Sequence, residues 1–397
     1  MDADFDADLA QMLEEALEGA LAQLSPDQRA KVDADPELHA RLSAAAMDAV
    51  DGVAAGIVER LRRDAPAMVR HRRRGQQAME KQIDEHWGRA FDASEAVMKV
   101  AFEVGEFHYK KHVPPDGERS YAFEVLARLQ ARGLRIAEEV LVLLKAGYGQ
   151  AAMARWRSLH EVAVVADFIL EHGDECAERY FDHEAVETYR AMAEFQQHAG
   201  TLGEQKYSDE AMAVARAGRD AVVAKHGARF GGQYGWAQEY VAAKDSAWAR
   251  QNVTFKAIEE SVEADRFRPR YRVASHAVHA NPMGVTRMPD SLPSERGLVL
   301  LTGPSAAGLA DPGYGALVSL TSVTEAVLAW RPGEASHLLA RSLQLLTEDA
   351  ETAYREAHDA LEADDSRPTR SRRRSRHRML DVAVDGGRAV LRRLGLR

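Results

Sequence analysis

The sequence contains only one cysteine, Cys176, among its 397 residues. A single thiol cannot form a disulfide within the chain, and it cannot supply the several thiolates that a structural zinc site needs. No uncharged run approaches the ~20 residues of a membrane-spanning helix, and the first ten residues, MDADFDADLA, lack the basic and apolar regions of a signal peptide. These absences favour a cytoplasmic protein without a transmembrane segment.

Several common catalytic motifs are also missing. The sequence has no G-x-x-x-x-G-K-[ST] phosphate loop, no G-x-G-x-x-G between a strand and a helix, and no H-E-x-x-H zinc motif. We therefore predict no cofactor and no metal site. Lysine is scarce as well, because arginine outnumbers it by 42 to 10, a bias that is typical of proteins from GC-rich bacteria.

Signals for β-strands are few. Only GLVLLTG, Gly297 to Gly303, has the composition of a strand, and its short length favours a loop. Apolar residues instead recur every three or four positions through most of the chain, which is typical of buried helix faces. We predict an all-α fold: a multi-helix bundle core with extra N- and C-terminal helices and a basic C-terminal tail.

Breaks in the helical pattern, such as PPDG at Pro114 to Gly117, divide the chain into five predicted regions. They are an acidic N-terminal region with a long amphipathic helix (residues 1–112), the helical-bundle core (118–281), a Pro/Gly-rich connector (282–314), C-terminal helices (315–363) and an arginine-rich tail (364–397).

Charge is distributed unevenly along the sequence. Residues 1–60 contain fourteen acidic and four basic side chains, whereas Ser366 to Arg397 contains eleven arginines and two aspartates. A block such as RPTRSRRRSRHR in this tail is typical of a solvated segment, or of one that binds nucleic acid or an anionic membrane. A second basic patch, RHRRR, runs from Arg70 to Arg74. The tail residues predicted to contact nucleic acid are Arg372, Arg373, Arg374 and Arg376.

Two segments of the predicted core pair charged residues four positions apart. In ARWRSLHEVAVVADFIL, residues 154–170, Arg157 and Glu161 share one helix face beside an apolar stripe. They form either a weak surface ion pair or a partly buried pair that fixes the register of the bundle or lines a polar cavity. In ERYFDHEAVETY, residues 178–189, His183 and Glu187 fit a solvated pair. A metal site formed by Glu161, His183 and His279 is a weaker alternative.

A third segment, RYRVASHAVHANP, combines arginine and histidine between residues 270 and 282. If it is helical, Arg272 shares a face with His276, four residues on, and with His279, seven residues on. Histidine can transfer protons near neutral pH, and a guanidinium can stabilise negative charge on a phosphorane, so the pair suits metal-independent cleavage of RNA. Alternatively, one of the histidines caps the end of the helix, with Asn281 and Pro282 as the stop signal.

These segments, together with YGWAQEY at residues 234–240, resemble a bacterial family filed as domain of unknown function 5677. Its members show a helical R-S-L-x-E segment and, downstream, a Y-x-x-x-S-x-x-V-H segment. The resemblance covers about Ala137 to Gly284, and the family has no settled activity. The positions that carry it are Arg157, Leu159, Glu161, Tyr271, Ser275 and His279.

The same region is more loosely similar to the HEPN superfamily of helical-bundle ribonucleases, which occur in toxin–antitoxin and phage-defence systems. That resemblance implies an arginine and a histidine in a dimeric cleft, and Arg272 and His279, with six residues between them, fit its spacing. Val273 follows Arg272 where such enzymes usually carry a polar residue.

Two hypotheses about function follow. In the first, the chain is a HEPN-like ribonuclease in which His279 is the general acid or base and Arg272 stabilises the transition state. Arg157, Glu161, Tyr271, Ser275, His276 and His183 are then supporting residues, and the basic tail holds RNA. In the second, the chain is a non-catalytic helical interaction or regulatory protein, and the same side chains form a buried Arg/Glu/His network. Either hypothesis implies a homodimer or a partner protein.

Overall fold

The computed structural model describes residues 36–115, 118–286, 291–294, 297–300 and 302–365. These residues are overwhelmingly helical, which confirms the predicted all-α fold. Within the described ranges, no helix has the length and apolar character needed to cross a membrane. The elements in chain order are α1 (Pro36–His112), α2 (Tyr121–Lys145), α3 (Gly149–Asp182), α4 (Glu184–Leu202), α5 (Asp209–His226), α6 (Gln238–Lys244), α7 (Phe255–Ser261), α8 (Arg268–Val278), α9 (Pro282–Thr286), β1 (Ser291–Ser294), β2 (Gly297–Leu300), α10 (Ala310–Ala329) and α11 (Ser336–Asp365).

The chain divides into two compact units. The first comprises Met1–Met79 with Ala363–Arg397, and its described part is mainly the first half of α1. Pro66 lies inside that half, where it has no N–H to donate, so one turn of the helix lacks a backbone hydrogen bond. The second unit, Glu80–Glu362, contains the predicted catalytic and supporting residues.

The core of the second unit is built around α2, α3 and α10. The apolar stripe predicted on α3 is buried, because Leu159, Val162, Ala166 and Ile169 expose at most 6% of their surface. Val165, in the same stripe, is half-buried. Periodicity of the sequence therefore identified which face of α3 points into the core.

α10 comes very close to α3 at Gly315. A Cβ atom added there would lie 2.9 Å from Nε1 of Trp156, so only glycine fits at this approach without displacing the indole. The Trp156 N–H donates to Oγ of Ser319 on α10 at 3.2 Å. This hydrogen bond satisfies the polar atom of a ring that is otherwise fully buried.

The break at PPDG separates α1 from α2, as the sequence predicts, and α2 begins at Tyr121, three residues after the predicted start of the core region at residue 118. Its N-cap is Ser120, whose hydroxyl oxygen accepts the backbone N–H of Phe123 at 3.4 Å. Ser120 also donates to Asp174 of α3 at 2.7 Å. The start of α2 is therefore fixed both by its own cap and by α3.

The loop predicted at Gly297 to Gly303 is corrected by the structure. Gly297–Leu300 forms β2, which pairs antiparallel with β1 so that Ser291 lies opposite Leu300. A short apolar run can meet its hydrogen-bonding requirement by pairing with a neighbouring segment. The partner strand SLPS is polar and contains a proline, so its composition does not predict a strand.

Candidate functional site

The centre of the candidate site is a buried contact between α3 and α7. His160 of α3 and Glu259 of α7 expose 4% and 0% of their side chains, and Nε2 of His160 lies 2.8 Å from Oε1 of Glu259. The second carboxylate oxygen accepts from Arg268 of α8, also at 2.8 Å. Burial favours a higher pKa for Glu259, but the hydrogen bonds from His160 and Arg268 outweigh it and hold the pKa below its ordinary value. Glu259 is therefore an ionised carboxylate with a donor on each oxygen.

A second contact joins α3 to α8. The hydroxyl of Tyr271 donates to Oε1 of Glu161 at 2.6 Å, and Nε of Arg157 lies 3.3 Å from the same oxygen. The guanidinium carbons of Arg157 and Arg268 lie 4.6 Å and 5.0 Å from the centre of the Tyr271 ring. Burial, followed by the hydrogen bond to Glu161, raises the pKa of Tyr271, so the phenol remains a protonated donor at neutral pH.

We call these six side chains the polar network: Arg157, His160, Glu161, Glu259, Arg268 and Tyr271. Aromatic rings surround it. The ring of Phe255 stacks on Tyr271 with centroids 5.3 Å apart, and Phe267 meets His160 edge-on at 5.7 Å. An apolar frame lowers the local dielectric, which strengthens the hydrogen bonds inside it.

The Arg157–Glu161 pair is the partly buried alternative rather than a surface pair. The side chains expose 25% and 38% of their surface, and Glu161 has Tyr271 as a further partner. The sequence predicted this pair and Tyr271, but it did not identify His160, Glu259 or Arg268 as site residues. The available signal was that Trp156 and His160 share the buried face of α3.

The predicted catalytic pair, Arg272 and His279, does not share a helix face. α8 ends at Val278, and His279 is its C-cap with extended backbone angles of φ −110° and ψ 136°. Both side chains are exposed. Neither has a hydrogen bond or an ion pair to any described residue.

The cause is the turn that follows α8. Oδ1 of Asn281 accepts the backbone N–H of Gly284 at 2.8 Å and lies 3.0 Å from Nδ1 of His276, which must therefore be the protonated ring nitrogen. Pro282 then disfavours helical backbone at the residue before it. This is the stop signal that the alternative interpretation predicted. Ser275 is a structural residue within α8, because its hydroxyl donates to the Tyr271 carbonyl at 3.0 Å.

His183 belongs to a different cluster. Its ring is buried, and Nε2 lies 2.8 Å from the carbonyl oxygen of Gly232, so this nitrogen donates. Nδ1 lies 3.7 Å from Glu187, so the predicted pair exists with its histidine buried rather than solvated. The alternative metal site is not assembled, because His183, Glu161 and the exposed His279 have different surroundings. Within the described part of the chain, no group of three His, Cys, Asp or Glu side chains is arranged to hold a metal ion.

Next to His183, the buried side chain of Arg179 connects two of the segments that carry the family resemblance. Its Nε donates to the carbonyl of Trp236 at 3.3 Å. One of its terminal nitrogens donates to Nδ1 of His226 at 3.1 Å, so Nε2 of His226 carries the proton and donates to Asp182 at 2.7 Å. The ERYFDHE and YGWAQEY segments are thus held together by the hydrogen bond from Arg179 to Trp236 and by the ion pair of Arg179 with Glu239 at 3.1 Å.

The predicted contacts of Arg372, Arg373, Arg374 and Arg376 with nucleic acid lie outside the described residues. Comparison with curated proteins and with solved structures finds no match. Residues 123–292 match a family of unknown function, DUF5677. The matched segment contains all six residues of the polar network, so the chain is similar to this family where its buried polar contacts lie.

Proposed function

We propose that the chain is a non-catalytic helical interaction protein, in which the polar network fixes the packing of α3 against α7 and α8. The observation that carries this proposal is the fully buried carboxylate of Glu259, with His160 on one oxygen and Arg268 on the other. Removing one partner of a buried ion pair costs about 3–5 kcal/mol. Arrangements that separate the three helices are disfavoured by a cost of this size.

The way the network is satisfied argues against acid–base chemistry within it. A general acid or base must reach a proton of the substrate, but the Tyr271 hydroxyl already donates to Glu161, and Glu259 already accepts from two donors. The raised pKa of Tyr271 also opposes its use as a base at neutral pH. A structural role in helix packing accounts for each of these hydrogen bonds.

An interaction role also needs a surface, and the end of α1 offers one. Phe102 and Tyr109 expose 47% and 46% of their surface, although both are large apolar side chains. They line a pocket of about 370 Å³ together with Phe123 of α2 and Trp330 after α10. Apolar patches of this kind on a protein surface mark contacts with other molecules. We propose that this patch contacts a second copy of the chain, in keeping with the predicted homodimer.

Light scattering of the full chain over a range of concentrations tests that contact. We expect a dimer that dissociates in the double variant Phe102→Ser/Tyr109→Ser. The matched control is Val214→Ser, which changes an exposed apolar residue of α5 that does not line the pocket. A wild-type mass that stays monomeric at all concentrations would contradict the self-association and leave another protein as the partner.

The structural role of the network is tested by a double-mutant cycle on Tyr271→Phe and Glu161→Gln. Each single change should lower the free energy of unfolding by about 1–2 kcal/mol, because a hydrogen bond to a charged group is lost in a half-buried position. The double variant should lose less than the sum, with a coupling of at least about 0.5 kcal/mol. Urea unfolding measures this, and His279→Ala serves as an exposed control that should leave stability unchanged.

The ribonuclease remains a second candidate because of one observation. The side chains of Arg272 and His279 are exposed and have no hydrogen bond or ion pair with a described residue, so both are accessible to a substrate phosphate. In this candidate His279 moves the proton, Arg272 stabilises the phosphorane, and the tail arginines hold RNA, with a dimer bringing two such pairs together.

Incubation of the full chain with labelled RNA in EDTA separates the two candidates. The interaction protein predicts no cleavage by either wild type or His279→Ala. Metal-independent cleavage that leaves cyclic phosphate ends, and that disappears in His279→Ala while circular dichroism is unchanged, would replace the interaction proposal with the ribonuclease.

A further inference from the structure

The first half of α1 contains a dense group of arginines that neither candidate function uses. Residues 59–74 read ERLRRDAPAMVRHRRR, with seven arginines, two acidic residues and no lysine, a net charge of +5. The whole chain has a net charge of −10. This segment therefore has the opposite sign to the protein that carries it.

Four of these arginines form one row, which we call the arginine stripe: Arg60, Arg63, Arg70 and Arg74. They follow one another at intervals of three, seven and four residues, which place them on one face of the continuous helix α1. At a rise of 1.5 Å per residue the row is about 21 Å long. It lies wholly within the first compact unit.

All four side chains are exposed. The ion pair in this segment joins Glu59 to Arg62 at 2.7 Å, and Arg62 is not one of the four arginines of the stripe. Among the described residues, no carboxylate approaches an arginine of the stripe within ion-pair distance. Four like charges on one face repel one another, an arrangement that an anionic partner would relieve.

We propose that the arginine stripe binds the phosphodiester backbone of a nucleic acid. Guanidinium groups bind phosphate oxygens through two parallel hydrogen bonds, and a row of them matches the repeated charge of a nucleic-acid strand. The stripe presents no groove-reading element, so the contact is to phosphates and is independent of base sequence.

A membrane surface is the other polyanion to consider, and the same helix argues against it. Interfacial helices insert aromatic and leucine side chains between lipids opposite their basic face. Residues 36–86 contain no Phe, Trp or Tyr, and Trp87 is the first aromatic residue of α1. The face opposite the stripe carries aliphatic side chains, such as Leu61 and the exposed Val58 and Val69. The helix therefore has the charge that a membrane helix needs but lacks the aromatic anchors.

The test is fluorescence anisotropy of the full chain with a labelled single-stranded RNA of about 20 nucleotides, at several salt concentrations. The stripe variant changes Arg60, Arg63, Arg70 and Arg74 to Gln. The control changes four other exposed arginines, Arg132, Arg135, Arg250 and Arg355, to Gln. Both variants lose the same charge and keep the basic tail, so any contribution of the tail cancels in the comparison.

Four phosphate contacts contribute about 3 units to the slope of log K against log salt concentration. We expect the stripe variant to lose a slope of that size and about tenfold or more in affinity at 100 mM salt, whereas the control keeps the wild-type slope. A third variant with lysine at the four positions should retain most of the slope, because the positive charge remains. Circular dichroism checks that the helix content is the same in every variant.

Two results would overturn the proposal. In one, the stripe variant and the control bind RNA equally well. In the other, the stripe variant binds RNA normally but loses binding to vesicles that contain phosphatidylserine, which would assign the stripe to a membrane surface. The outcome does not depend on the polar network or on the pair Arg272 and His279, so it is independent of the proposed function.

Discussion

Replacing Asp167 by asparagine should stabilise the protein at neutral pH. Asp167 lies on α3 and faces α10, where its carboxylate accepts a hydrogen bond from Oγ of Ser322 at 3.0 Å. Burial raises the pKa of Asp167 from 3.8 to about 6. The hydrogen bond from Ser322 opposes this rise, the negative charge of Glu325 adds to it, and Arg266 opposes it. The ionised form is therefore poorly accommodated in the folded protein.

The size of the effect follows from the difference between the folded and unfolded states. A pKa raised by about 2 units corresponds to about 3 kcal/mol between the two protonation states. Because the folded pKa is the higher one, the stabilising contribution is complete below about pH 4 and is lost as the pH rises through 6. Asparagine cannot ionise, so at pH 8 the variant should have a free energy of unfolding about 1–3 kcal/mol higher than that of the wild type. The lower end of this range applies if the amide N–H groups of asparagine lack acceptors.

Urea unfolding of wild type and Asp167→Asn at pH 5 and at pH 8 measures this difference. We expect the free energy of unfolding of the variant, relative to that of the wild type, to rise by about 1–2 kcal/mol from pH 5 to pH 8. The matched control is Asp359→Asn, an exposed aspartate of α11, which should show no such change. An equal effect of Asp167→Asn at both pH values, or a loss of stability at pH 8, would refute the reasoning from burial.

Two further predictions concern the buried core. Gly315→Ala should destabilise by about 1–3 kcal/mol, because the new methyl group meets the Trp156 indole. By contrast, Gly200→Ala, in α4 with open space around it, should stabilise the protein by about 0.5–1 kcal/mol through helix propensity. Thermal unfolding compares the two variants, and equal effects would contradict the close approach of α10 to Trp156 at Gly315. Cys176 is fully buried and its pKa is raised to about 12, so a thiol reagent should modify it only after unfolding, and rapid labelling of the native protein would show that this region opens.

The helical architecture was predictable because it depends on local pattern. Repetition of apolar residues every three or four positions identified the buried face of α3, and Leu159, Ala166 and Ile169 lie there. The proline-rich break before α2 was predictable for the same reason, since proline and glycine limit backbone geometry independently of the rest of the fold.

The candidate site was predictable only in part. Arg157 and Glu161 are four residues apart on one helix, so local spacing revealed the pair, and the family resemblance added Tyr271. The end of α8 was harder to predict, because the helical periodicity continues beyond Val278 while Asn281 and Pro282 favour a turn. In the structure the turn ends α8 at Val278, so His279 does not lie on the helix face that contains Arg272.

What the sequence determined by itself was therefore the class of fold, the buried stripe of α3 and the break between α1 and α2. Only the tertiary structure brought His160 to Glu259, which is 99 residues away, and placed Arg268 on the other oxygen of the same carboxylate. Glu259 lies in KAIEES, a segment whose composition is that of an ordinary solvated helix. Its burial depends on which helices pack together, and a contact between distant segments leaves no periodic signal in either of them.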